Sequence, residues 1–351
     1  MTALTDIGEY GLHAWLLRTL GSSFDDLSGP GDDCAFLDLL PDHYLLLTSD
    51  RLPLNLAGEY AGRLVVTQNF SDIISKGGRP VALLLNVYLP RDATLEDFEQ
   101  IVLGAKRETE KYGARIVGGD TKEDQKLTVV GSAIGTVPKP HRVSRRGARP
   151  GDHVFLTLAG GERLGARWAR IVADYFSPRL GDGIRDELER AYARDIRLPA
   201  NEMQAAVGTG GVTASIDNSD GLGGSIEILM RASGIGFALD REGLLQTLDP
   251  VVMRVAEALD TDPLRFAFAP GYDWQCLLTA PPAQAEVVKE AVRQAGGELV
   301  RIGDVAEGTG TILRVAGSPV GAVHLFGDEK FKRHRWEEQP KHWLAYPLIE
   351  S

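Results

Sequence analysis

The chain has 351 residues, more than one compact core usually takes, so two domains are expected. Hydrophobic residues at 43% and charged residues at 25% argue against disorder, and a net charge of -11 argues against nucleic acid or an anionic membrane as the main partner. The two cysteines, Cys34 and Cys276, form neither a disulfide framework nor a metal-ligand spacing and read as small core residues. With no apolar run of membrane-span length and no signal-peptide start, a cytoplasmic location is expected.

Residues 5–20 read as a helix capped by Thr5 or Asp6, with an apolar stripe of Leu12, Trp15, Leu16 and Leu20 and a stop at Gly21. A turn rich in Asp, Ser and Gly leads into GPGDDCA from Gly29. A hairpin of strands over 34–39 and 44–48 then runs into Ser49-Asp50. Residues 59–76 read as a helix ending at Gly77-Gly78; it is apolar on several sides, so another layer must cover it and bury Asp72. Asp32, Asp33, Asp50 and Asp72 are thus embedded in Cys, Phe, Leu, Val and Ile. Carboxylates so placed are costly unless a cation compensates them, and hard oxygen donors with few histidines point to Mg2+. N-caps and Asx-turns account for any single Asp easily but for the set less well.

A strand over 81–88 follows, then a helix over 95–112 with Thr94 and Asp97 as a capping box. The strand 115–117 stops at GGDT, which puts Gly119, Asp120 and Thr121 at its carboxyl end, where glycines let a backbone approach phosphate. A strand over 127–137 completes the half. The segment 138–152, PKPHRVSRRGARPGD, reads as an interdomain linker whose Arg142, Arg145, Arg146 and Arg149 are either solvated charge or phosphate ligands. Beyond it the alternation repeats: a strand at 154–158, a helix after a glycine turn, a helix over 183–195 and another after Pro199. A strand over 213–216 runs into DNSDGLGGS and a helix over 224–233, which gathers Asp217, Ser219 and Asp220 at a helix N-terminus. Phosphate is favoured there only if a cation lies between it and the aspartates. A strand at 235–240, a helix near 249–259, PGYDWQCLLT entering a strand, a helix over 283–295 and β segments at 298–305 and 311–325 precede a charged, aromatic tail.

No P-loop, dinucleotide fingerprint, nucleophile elbow or H-E-x-x-H is present, and the seven histidines form no ligand-like pair. Taken together, GPGDDCA, LLLTSD, NFSDIISKGGRP, IVGGDT, GTV followed by SRRGARPGD, and IDNSDGL resemble thiamine-monophosphate kinases of the aminoimidazole ribonucleotide synthetase superfamily, from about residue 29 to about residue 330. The resemblance implies a two-domain α/β (α+β) fold: residues 1–137 bind ATP and metal and dimerise through a shared β-barrel, 138–152 link, 153–326 form a C-terminal α/β domain, and 327–351 are a tail. It implies Asp33, Asp50, Asp72, Asp217 and Asp220 as magnesium ligands, with Thr48 and Ser49 beside them and Asp120 counted among the ligands. Gly119, Asp120, Arg145 and Ser219 become nucleotide contacts, and Asp33, Asp220 and Arg145 the residues that act in catalysis. Asn at any one of the five ligands is expected to end turnover and leave the fold intact.

The departures concern the acceptor. The loop 51–58 is shorter than in the family and lacks its histidine. Gly271-Tyr272-Asp273-Trp274-Gln275 stands where the family has G-G-E-D-Y-E, and the region at Phe326 is changed. Tyr272, Asp273 and Phe326 are therefore the candidate acceptor residues, and an acceptor other than thiamine monophosphate is favoured, with ATP and Mg2+ retained. A phosphate acceptor needs no base, whereas a hydroxyl or amine would, with Asp273 the candidate. The alternatives are an ATP-dependent synthetase that phosphorylates a carbonyl or amide, and a nucleotide-binding protein without turnover. A homodimer is also expected, because the strands over 44–48, 81–88 and 127–137 are too apolar to leave an open edge in water.

Overall fold

The computed structural model describes residues 3–21, 31–52, 56–269, 271–326, 331 and 340–350. The turn before Gly31, with Gly29 and Pro30, the centre of the loop 51–58 and most of the tail fall outside them. Among the described residues no helix is long and apolar enough to cross a membrane.

Helix α1 (Leu4–Leu20) closes on Gly21 as expected, but Gly8 (φ 70°, ψ 176°) breaks it, and Thr5 and Asp6 lie in the short turn before the break, which follows Ala3 without a side-chain cap. Its apolar stripe is not buried: Trp15 is 53% and Leu20 62% exposed. The first sheet is built from β1 (Ala35–Leu37), β2 (His43–Arg51), β3 (Arg79–Leu89), β4 (Arg115–Gly118), β5 (Thr121–Glu123) and β6 (Thr128–Pro138), with α2 (Gly58–Ser75) and α3 (Leu95–Lys111) on one face. The order is β1-β2-β6-β3-β4, and β5 pairs β3 beyond β4. The strands expected to present an open edge, β2, β3 and β6, are therefore interior. The capping box of Thr94 and Asp97 is present at the start of α3. Helices α2 and α3 touch through backbone: a Cβ on Gly62 would stand 1.9 Å from the Ile101 carbonyl oxygen, so neither helix could approach the other with a larger residue there.

After Pro138 a short turn, Lys139–His141, leads along the edge of the second half. That half contains β7 (His153–Ala159), α4 (Ala166–Ala173), α5 (Asp182–Ala193), α6 (Ala200–Gly208), β8 (Ala214–Asp217), α7 (Gly221–Ser233), β9 (Gly236–Asp240), α8 (Arg241–Thr247), α9 (Pro250–Leu259), α10 (Leu264–Phe268), β10 (Cys276–Ala280), α11 (Pro282–Gln294), β11 (Gly297–Ala306), β12 (Gly310–Val315), β13 (Ser318–Val323), α12 (Pro340–Ala345) and β14 (Ile349–Glu350). Its sheet runs β14-β13-β12-β9-β11-β7-β10-β8. Helices α8 and α10 escape a pattern reading because each is too short to show a helical period. The β segment over 311–325 is a hairpin of β12 and β13.

The two halves are not independent cores. One apolar cluster joins Phe36, Leu46 and Phe70 of the first to Phe155, Cys276 and Leu278 of the second, and both cysteines are buried in it. Helix α2 is consequently covered on both sides, by the first sheet and by the edge strand β8. Hydrogen bonds pin this joint: Ser215 Oγ donates to the Ser75 carbonyl (2.5 Å), and the Ser215 N–H donates to the Ser144 carbonyl (2.9 Å). The candidate site lies here.

Candidate active site

Strand alternation decides which residues reach the joint. Along β2, Leu46 and Thr48 face α2, and Thr48 Oγ1 donates to Asp72 Oδ2 at 2.6 Å. Ser49 faces the other way; its hydroxyl bonds Ser132 (2.8 Å) and the Gly131 carbonyl (3.0 Å) on the open side of the sheet. Only Thr48 of that pair is beside the acids, a consequence of the period of two. The next residue, Asp50, returns to the α2 side, where its N–H donates to Asn69 Oδ1 (3.0 Å). On α2, Asn69, Asp72 and Lys76 are spaced to share a face, with Ser71 and Ser75 flanking it.

Three carboxylates converge: Asp33 from the turn before β1, Asp72 from α2 and Asp217 from the end of β8 offer oxygens within 4.8 Å of one another, and all three are buried. Asp217 accepts from Ser71 Oγ (2.5 Å) and Ser219 Oγ (3.1 Å). Asp33 accepts from Ser75 Oγ (2.7 Å), Arg145 Nε (2.7 Å) and Lys76 Nζ (2.6 Å). Asp32 accepts from Lys76 Nζ (2.7 Å) and from the backbone N–H of Arg145 (2.9 Å).

Charge is distributed unevenly in this cluster. Burial alone would raise the Asp33 pKa, but Arg145 and Lys76 hold it below the usual carboxylate range. Asp72 goes the other way: burial, then the Asp50, Asp217 and Asp33 carboxylates, push it well above that range. Burial and Asp33 carry Asp217 up to about 7. Among the described residues neither Asp72 nor Asp217 makes an ion pair, and the pull of Arg145 on Asp217 does not offset its burial. All-oxygen donors with uncompensated negative charge are what a divalent cation such as Mg2+ accepts, so the residues present fit that ion.

Other expected residues stand at the margin. Asp50 and Asp220 are outside the converging trio; Asp220 is exposed at the N-cap of α7, and Asp50 acts on Asp72 through its charge. Asp120 pairs with Lys122 (3.0 Å). The register aligns Asp50 with Gly131, Gly131 with Leu85 and Leu84 with Gly118, so the GGDT turn lies three strand spacings, roughly 14 Å, from Asp50. Gly119 has a structural reason: a Cβ there would stand 1.7 Å from the Leu85 carbonyl oxygen. Of the four linker arginines, Arg145 joins the acids through Asp33. Lys76, Asn69, Ser71 and Ser75 went unread in the sequence, although helical spacing from Asp72 was the signal for them.

The candidate acceptor residues Tyr272 and Asp273 precede β10, which lies beside the Asp217 end of β8. Strand β10 pairs β8 with Cys276 opposite Asp217, and the Asn218 N–H donates to the Gln275 carbonyl (2.7 Å). Tyr272 and Trp274 both hold positive φ, 53° and 46°, which turns the chain sharply around Asp273. Asp273 is buried, accepts from the Gly165 N–H (2.9 Å) and faces the Arg167 guanidinium at 3.6 Å. Burial raises its pKa to about 7 against the pull of Arg167. Phe326 is buried against Trp343 in the core of the second half, with a ring-centroid distance of 6.3 Å.

Residues 31–137 match the family model described as AIR synthase related protein, N-terminal domain. The chain is 30% identical over 308 residues to thiamine-monophosphate kinase of Pyrococcus abyssi, covering 85% of this chain and 89% of that one. A solved structure of AaThiL complexed with AMPPCP and TMP superposes with a TM-score of 0.71 at 27% identity, covering 91% of this chain and 97% of that one. Escherichia coli HypE, a hydrogenase maturation protein, superposes with a TM-score of 0.65 at 21% identity over 90% of this chain and 96% of its own, a likeness of fold alone.

Proposed function

Because the chain belongs to the thiamine-monophosphate kinase family, we propose that it transfers the γ-phosphoryl group of ATP to a small-molecule acceptor at the joint between its two halves. It is an ATP-dependent kinase. The observation that carries the reading is the convergence of Asp33, Asp72 and Asp217 within 4.8 Å, buried, with Arg145 beside them. Asp72 and Asp217, with Asp50 and Asp220 flanking, would hold Mg2+, while Asp33 on the third side is engaged by Lys76 and Arg145. Bound there, the ion would neutralise charge on the phosphate oxygens of ATP. Arg145, anchored by Asp33 and Asp32 yet 16% accessible along its side chain, would orient the transferring phosphate. Ser219 and Thr48 hold the carboxylates in place. Catalysis of this kind is mostly positioning and electrostatics.

The acceptor enters from the side of residues 272–275. Asp273, titrating near neutral pH, is suited to take a proton from a hydroxyl or amine acceptor. Thiamine monophosphate is a poor acceptor in this reading: the histidine of the loop 51–58 is missing, and Tyr272 occupies the place of a carboxylate that would face a cationic ring. Each lost charge-assisted contact costs about 1.5–3 kcal/mol, roughly ten- to hundred-fold in affinity. A steady-state assay with ATP, Mg2+ and thiamine monophosphate, read by thiamine diphosphate formation, tests this. Slow formation is expected, and efficient formation at micromolar acceptor would show that the altered positions are tolerated.

The division into 1–137, a linker 138–152, 153–326 and a tail 327–351 belongs to the same proposal, as does a homodimer with a barrel closed across two chains. Its basis is a face rather than an edge of the first sheet. On the side away from α2, Val81 (44% exposed) and Leu84 (39%) lie with Leu45, Leu47, Val130 and Ile134, an apolar surface that a second copy would cover. Sedimentation at micromolar concentration should give the mass of two chains; a single-chain mass would exclude it.

A further inference from the structure

Lys76 is a buried cation whose role the reaction does not explain. It is 0% exposed, and its ammonium has three acceptors: Asp32 Oδ1 (2.7 Å), Asp33 Oδ2 (2.6 Å) and the Ser215 carbonyl (2.7 Å). An ammonium has three N–H donors, so all are spent. The end of α2 fixes it there. The Gly77 N–H returns to the Ile74 carbonyl (2.9 Å) and the Gly78 N–H to the Ile73 carbonyl (3.0 Å), with Gly77 at a φ of 67°, a closed helix end that sends the Lys76 side chain inward.

The consequence falls on Asp33. Its Oδ2 accepts from Lys76 and from Ser75 Oγ (2.7 Å), and its Oδ1 accepts from Arg145 Nε (2.7 Å) and from the second guanidinium nitrogen. That is about as many donors as a carboxylate has lone-pair sites. Asp72, by contrast, accepts from Thr48, and Asp217 from Ser71 and Ser219, all neutral hydroxyls.

We propose that Lys76 is a resident counter-ion standing where a metal ion would otherwise sit against Asp32 and Asp33, so that the nucleotide-free chain takes a single divalent cation, at Asp72 and Asp217. Charge balance supports this. Lys76 and Arg145 match the carboxylates of Asp32 and Asp33, and one divalent ion matches those of Asp72 and Asp217. The inference rests on the cation reading of the preceding section and sharpens it: the Asp32–Asp33 end is closed to metal by the chain itself.

The test is a count of Mn2+ bound per chain, by electron paramagnetic resonance on the purified full-length protein without nucleotide. Wild type should bind one ion. Lys76→Met, which keeps the length of the side chain and removes its charge, should bind two, because Asp32 and Asp33 then need a cation. Two ions on wild type, or an unchanged count of one in a folded Lys76→Met, would overturn the proposal and leave the cation reading standing. No ion on wild type would overturn both. If Lys76→Met does not fold, the wild-type count alone still decides.

Discussion

Asp72→Asn is expected to end turnover while making the metal-free protein more stable. Asp72 is buried beside Asp217 and Asp33, and burial together with the Asp50, Asp217 and Asp33 carboxylates raises its pKa well above the usual range. A folded-state pKa raised above the unfolded value means that the native carboxyl keeps its proton while the unfolded one releases it. Metal-free stability therefore falls as pH rises from about 4, and continues to fall until the folded-state pKa is passed. Asp217 acts in the same direction, over a window that closes near 7. Asparagine removes the charge and keeps an oxygen for the Thr48 hydroxyl, so the penalty disappears. A higher melting temperature is expected at pH 8 and little change at pH 4. The rate should fall roughly 10²–10⁴-fold, because a ligand to the phosphate-neutralising cation is lost. Calorimetry in chelator at the two pH values checks the first part; an unchanged or lower melting temperature at pH 8 would contradict it.

Asp33→Asn should behave in the opposite way. Asp33 is the shared partner of Lys76 and Arg145, and the asparagine amide would turn a donor toward one of two buried cations. Breaking a buried ion pair from one side costs about 3–5 kcal/mol, since the surviving charge is left without compensation. The variant should melt well below wild type with or without Mg2+, and its loss of activity should be accompanied by loss of folded protein. Sequence reasoning treated the five aspartates alike and expected Asn at each to spare the fold. The structure separates them by what surrounds each one. A melting temperature for Asp33→Asn equal to that of Asp72→Asn would show that the separation is not real.

The parts of the site legible in the sequence were those in which a residue conflicts with its surroundings. Asp33 beside Cys34 and Phe36, Asp72 inside an apolar helix and Asp217 at the end of a buried strand each carry that conflict, and the structure brings the three together. The basic cluster in an acidic chain marked four arginines as candidates, and only the family resemblance singled out Arg145 among them. Lys76 was not legible: a lysine in the last turn of a helix, before two glycines, is the ordinary surface arrangement that favours the helix dipole, and only the covering strand β8 makes it buried. The position of Asp120 depended on strand order, which places the GGDT turn across the sheet from Asp50; local pattern does not encode that order. Ser49 could have been placed by alternation alone, since Thr48 and Asp50 on either side of it face α2.

The measurement that bears most directly on the central claim follows the γ-phosphoryl group of labelled ATP, with Mg2+ and a panel of hydroxyl, amine and phosphate acceptors, in wild type and Asp72→Asn. Label appearing in an organic product in step with ADP, and absent with the folded Asp72→Asn protein, is the result the account predicts. ADP formed only with free phosphate, or equal transfer by the two proteins, would contradict it.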